Sequence, residues 1–81
     1  MSLHKALSII FPREIERARQ KNKWSYREMS KNTEMCLAAC HRYCNGDYPR
    51  WPEWQEKICN AMGIKIQTVY RKAFKLMRDD K

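Results

Sequence analysis

A chain of 81 residues sets the scale at one domain with a small core. A formal net charge of +8 points to an anionic partner, of which nucleic acid is the commonest, and disfavours a basic one. No segment approaches the roughly 20 apolar residues of a membrane span, and no secretory leader is recognisable, so a cytoplasmic protein with reduced thiols is expected.

Only two glycines and three prolines, with no alternating strand pattern, indicate an all-α fold. Leu3, Ala6, Leu7, Ile10 and Phe11 fall at helical spacing and make one apolar stripe. Pro12 then predicts a break or kink, because it lacks an N–H and its ring clashes with the Ser8 carbonyl. A second helical piece is expected from Pro12 to about Asn22, with Ile15 and Ala18 inward and Glu14, Glu16, Arg17, Arg19 and Lys21 in water. The leading residues 1–11 are open to two roles: an extension of the core, or a dimerisation arm.

The stretch from Ser25 to Gly46 organises the rest. Ser25 followed three residues later by Glu28 fits a capping box, and Trp24 stands where a hydrophobic staple onto Met29 would begin. One helix is expected over about Tyr26 to Asn32 and another from Met35 or Cys36 to Cys44. Asn45-Gly46 supplies the left-handed stop. The loop DYPRWP excludes helix until Pro52, which suits the first position of the next helix, with Glu53 near its positive end. Trp54, Ile58, Ala61 and Met62 are its expected stripe, and Gly63 its stop. A last helix is expected over about Gln67 to Met77, with Ile66, Val69, Tyr70, Ala73, Phe74 and Met77 along one side.

At about 100° per residue, Cys36, Ala39, Cys40 and Tyr43 cluster on one side of the helix before Asn45. Ala38, His41, Arg42 and Asn45 cluster opposite, with Leu37 and Cys44 on the flanks. The second set carries donors and acceptors suited to base edges: Arg pairs with guanine, Asn with adenine, and Leu37 or Ala38 can touch a thymine methyl. Lys23, Ser25, Tyr26, Arg27, Lys31, Tyr48, Arg50 and Lys57 surround this face and are the types that grip phosphate.

Cys36, Cys40 and Cys44 are spaced by four, and Cys59 follows. Along one helix the end pair lies about 12 Å apart in rise, so one metal cannot use all three. They are read as small core hydrophobes, with Cys44 the most reactive, and no metal is expected. No glycine-rich phosphate loop, HExxH or placeable Ser-His-acid set occurs, so no enzyme, cofactor or small-molecule ligand is expected.

Over about Ile15 to Ile64 the chain resembles the phage-repressor or Cro-type helix-turn-helix family, the lambda-repressor-like fold. The segment IERARQKNKWSYREMS resembles that family's first helix, its link and the start of its second. Met35, Cys40 and Tyr43 match its apolar positions, NGDYP its turn after the reading helix, and WPEWQEKICNAMGI its fourth helix. The resemblance implies a single domain over 1–81. It would be a compact four- or five-helix bundle with an extra N-terminal segment and a helix-turn-helix core over about 25–46. It also implies a homodimer on double-stranded operator DNA, acting as a repressor of phage or mobile-element type. Leu37, Ala38, His41, Arg42 and Asn45 would then face the major groove, and Tyr26 and Arg27 phosphate. The chain departs from the family at Tyr26 (often Gln), Ser30 (Ala), Glu34 (Gly) and Cys36, a weak cap for which Thr33 is an alternative. Two other readings stay open: a protein-interaction module using Tyr48, Trp51 and Trp54, or a nucleic-acid binder that uses charge alone.

Overall fold

In the computed structural model, which describes residues 1–80, Ser2 caps the first helix by accepting from the Lys5 N–H at 3.1 Å. That helix, α1 (Leu3–Lys21), runs without interruption through Pro12, so the expected break is absent. The reason is tertiary. An interior proline costs about 3 kcal/mol, but Ala6, Leu7, Ile10, Phe11, Ile15 and Ala18 form one buried stripe that spans both sides of it. Straightening the helix keeps all of them on one core, and Pro12 itself is buried. The leading residues therefore extend the core. Leu7, Ile10 and Phe11 are used inside the chain and leave no apolar arm there.

Glu14 was expected in water and is instead buried. It lies on the side of α1 that packs on the last helix, where Lys72 Nζ donates to its Oε1 at 2.6 Å. Arg17 Nη1 is 3.5 Å from Oε2. A buried carboxylate is tolerable because a cation sits against it.

The second helix, α2 (Tyr26–Thr33), carries the predicted capping box in full. Ser25 Oγ accepts from the Glu28 N–H, and Glu28 Oε1 accepts from the Ser25 N–H, both at 3.1 Å. These bonds hold the Glu28 carboxyl below its ordinary value, through the backbone N–H of Ser25 first. The helix ends on Glu34, whose φ of 62° is left-handed. A non-glycine residue there costs about 1–2 kcal/mol. Two side chains offset it: Ser30 Oγ donates to the Met35 carbonyl at 2.5 Å, and Thr33 Oγ1 donates to Met29 O at 2.6 Å and accepts from the Met35 N–H at 3.4 Å. Thr33 thus ties the turn and does not cap the next helix.

That next helix, α3 (Leu37–Cys44), begins one or two residues later than expected. Cys36 is its cap residue, without a side-chain bond, and is exposed instead of facing inward. Gly46, at φ 124°, turns the chain away after Asn45. Pro52 opens α4 (Pro52–Met62) and Gly63, at φ 74°, closes it, as read from the sequence. Its inward face is Gln55, Ile58, Cys59 and Met62, so Trp54 lies to one side and is 49% exposed, against expectation. Gln55 is satisfied in the core: its Nε2 donates to Pro49 O at 2.9 Å, and its Oε1 accepts from the Tyr70 hydroxyl at 2.5 Å. In α5 (Ile66–Asp79), Val69 and Ala73 are buried, whereas Phe74 turns outward and is 54% exposed, again against expectation.

The five helices form a small all-α bundle, and no strand occurs among the described residues. The long α1 packs against α5 and α3, α2 packs on α3, and α4 joins α1, α2 and α5. Phe11, Ile15, Met29, Ile58 and Val69 fill the centre. This arrangement leaves the outer side of α3 free.

The cysteines divide differently from expectation. Cys44 is buried with its Sγ 3.7 Å from Met29 Sδ, and burial pushes its thiol up to about 12. Burial also raises Cys59 to about 11 and raises Cys40. The exposed thiol is Cys36. One of the four cysteines is therefore expected to alkylate fast in the native protein, and Cys36→Ser should abolish that phase, as intact-mass labelling would read. Fast labelling of Cys44 would contradict this packing. The three raised thiols also favour the folded state below the ordinary cysteine value of 9.0, and that stabilisation is lost as pH climbs from there toward 11–12.

Candidate nucleic-acid interface

The outer side of α3 starts from residue choice. Cys40 and Cys44 seat the helix on the core, which turns Ala38, His41, Arg42 and Asn45 to solvent. These four line one shallow depression together with Gly46 and Asp47. Leu37, 40% exposed, lies outside that depression.

Each polar member already has an intramolecular partner. Arg42 Nε is 3.4 Å from Asp47 Oδ2, and its guanidinium lies 5.3 Å from the Tyr43 ring centroid. Asn45 Nδ2 donates to the His41 carbonyl at 2.6 Å and is 3.4 Å from the Tyr26 hydroxyl. The His41 ring lies on the Tyr26 ring, with centroids 4.0 Å apart and planes tilted by 35°. Tyr26 also carries the Arg19 guanidinium 4.4 Å from its centroid. Glu16 grips that guanidinium at both oxygens, 2.5 and 2.8 Å from Nε and Nη2, while Arg19 Nη1 donates to the Trp24 carbonyl at 2.7 Å. The Arg19 hydrogen bonds hold the Glu16 carboxyl below its ordinary value.

Of the residues expected to grip phosphate, Lys23, Arg27, Lys31, Arg50 and Lys57 are exposed. Tyr26 is half-buried beneath His41. The Ser25 hydroxyl and N–H are both given to Glu28, whose carboxylate also places a negative charge at this end of α2. Tyr48 is a correction. It is buried, its ring 5.9 Å from Phe11, and its hydroxyl is 2.5 Å from His4 Nδ1. The loop folds it inward to cover the start of α1, so no phosphate reaches it. Arg50 lies over the outer side of that ring, 4.9 Å from its centroid, and 3.8 Å from Asp47. Lys57 sits against Trp54 in a separate depression with Trp51 and Glu53, away from the four residues of α3.

The chain matches no protein-family model, no curated protein and no solved structure. What the site can do therefore rests on its own chemistry. An exposed Arg offers a guanine two parallel donors, and an exposed Asn or His offers a donor and an acceptor to a base edge. No group of three or more His, Cys, Asp or Glu placed to hold a metal occurs among the described residues. None of the helices is long and apolar enough to cross a membrane.

Two features went unrecognised in the sequence. Asp47 pairs with both Arg42 and Arg50, and only the i,i+3 spacing to Arg50 hinted at that. The Glu16–Arg19 pair had a visible signal, the i,i+3 spacing of opposite charges, but its contact with Tyr26 needs the fold.

Proposed function

We propose that this protein binds double-stranded DNA sequence-specifically, placing α3 in the major groove, and acts as a small transcriptional regulator of repressor type. The observation that carries the reading is the exposed set Ala38, His41, Arg42 and Asn45 on one outer face of a short helix. Support comes from the exposed cations Lys23, Arg27, Lys31 and Arg50, and from the net charge of +8. On this reading Arg42 and Asn45 read bases, Leu37 and Ala38 offer apolar contact, and the cations fix register on the phosphates. A homodimer would set two reading helices about 34 Å apart. With Leu7, Ile10 and Phe11 used internally, the last helix, with the exposed Phe74 beside Tyr70, is the surface proposed for that contact.

Selection from random duplexes, followed by salt titration on the selected and a scrambled duplex, tests this. Specific reading gives a large affinity ratio between the two, and a palindromic site reports the dimer. A steep salt slope with no ratio would mean binding by charge alone. Weak binding to both would favour the second reading, a protein partner on Trp51 and Trp54, which are 68% and 49% exposed.

A further inference from the structure

Tyr26 touches two of the three polar side chains of the reading face, His41 and Asn45. Its ring carries His41 at 4.0 Å, its hydroxyl lies 3.4 Å from Asn45 Nδ2, and the Arg19 guanidinium sits 4.4 Å from its centroid. Arg19 is itself fixed at three points, by both Glu16 oxygens and by the Trp24 carbonyl. A chain of contacts thus runs from α1 through the first residue of α2 to the middle of α3.

An exposed imidazole on a helix ordinarily samples several rotamers, and freezing them on binding costs entropy. Ring stacking removes part of that freedom beforehand. Stacking also uses only the face of the imidazole, whereas its two nitrogens hydrogen-bond in the ring plane. A side chain held in one orientation discriminates between base pairs better than a mobile one, because the wrong base meets a misplaced donor. Phosphate contact by Tyr26 would need the hydroxyl that stands beside Asn45, whereas bracing needs only the ring.

From this geometry we infer that Tyr26 is a specificity-determining positioning residue: braced by Arg19, it orients His41 toward one base pair. The inference rests on the proposed DNA reading, and it reassigns Tyr26 from phosphate contact to the support of a reader. Tyr26→Ala then acts on sequence preference, and Tyr26→Phe, which keeps the ring, does not.

The test uses the full chain and the selected duplex, with every base pair varied in turn. Expected are a roughly tenfold loss for His41→Ala, confined to one base pair, and relaxation of that same base pair by Tyr26→Ala. The double variant should lose no more than His41→Ala alone, and Tyr26→Phe should stay within about twofold of wild type. A uniform loss on all duplexes with Tyr26→Ala, preference intact, would overturn the inference and make Tyr26 a phosphate contact. The brace is also read without DNA. The His41 ring protons should resonate upfield in wild type and in Tyr26→Phe, and return toward ordinary values in Tyr26→Ala. If they do not move, the brace is refuted whatever the protein binds. If the shifts behave as expected while wild type shows no duplex preference, the DNA reading fails and the assignment of His41 to a base pair fails with it.

Discussion

Phe11→Ala is expected to lower the unfolding free energy by about 3–5 kcal/mol. Phe11 is fully buried and stacks on Tyr48 with planes 22° apart. It also precedes Pro12, where the backbone has already lost one helical hydrogen bond. Native stability for small domains is about 5–15 kcal/mol, so the variant would sit at the margin of folding. The effect should spread to the loop after α3. Tyr48 loses its stacking partner, and Asp47 and Arg50 flank it. Urea unfolding followed by helical circular dichroism would read the loss as a lower midpoint at unchanged slope. Phe11→Leu, which keeps most of the volume, should cost less than about 1.5 kcal/mol if it repacks. A loss below about 1 kcal/mol for the alanine variant would mean that α1 is not seated on this core.

The parts of the fold legible in the sequence are those settled by neighbours along the chain. Ser25 with Glu28, Pro52 at a helix start and Gly63 at a helix stop act over three or four residues, so their residue types suffice. The turn at Glu34 was marked only by its departure from the glycine of the resembled family, and its ties through Ser30 and Thr33 were not legible. Pro12 shows where local reasoning stops. Its local preference is to break a helix, and the shared core on both sides outweighs it. Glu14, Tyr48, Trp54 and Phe74 were misplaced for a related reason. Glu14, Trp54 and Phe74 lie near the edge of a helix's apolar stripe and Tyr48 in a loop, and for all four packing against a distant element decides which side is wet. The candidate interface divides in the same way. Helical phase alone put Ala38, His41, Arg42 and Asn45 on one outer face, because only the seating of Cys40 and Cys44 mattered. Their partners Asp47 and Tyr26 arrive through tertiary structure.

On the proposed DNA reading, Arg42→Ala is expected to cost about 1–3 kcal/mol on the preferred duplex and to relax preference at one base pair. The argument turns on how firmly Asp47 holds Arg42. The pair is 3.4 Å apart, with side chains 60% and 39% exposed, and Arg50 stands 3.8 Å from the same carboxylate. A pair so open to water is screened and worth less than a bidentate guanine contact. Arg42 can therefore leave Asp47 for a base, and the cost of leaving is smaller than the gain. The carboxylate stays behind, however, close to where phosphates would lie, and it opposes binding of every sequence. Asp47→Asn should thus strengthen binding to preferred and scrambled duplexes alike. It should narrow the ratio between them, because Arg42 and Arg50 are both freed to pair with any phosphate. Lys23→Ala should weaken all sequences about equally and lower the salt slope by about 1. Fluorescence anisotropy on both duplexes over a range of salt separates the three variants. If Arg42→Ala leaves both affinities and their ratio unchanged, α3 does not enter the groove by this face. If Asp47→Asn raises the ratio, its carboxylate restrains non-specific contacts less than it restrains reading, and Arg42 rather than Arg50 is the side chain it chiefly withholds.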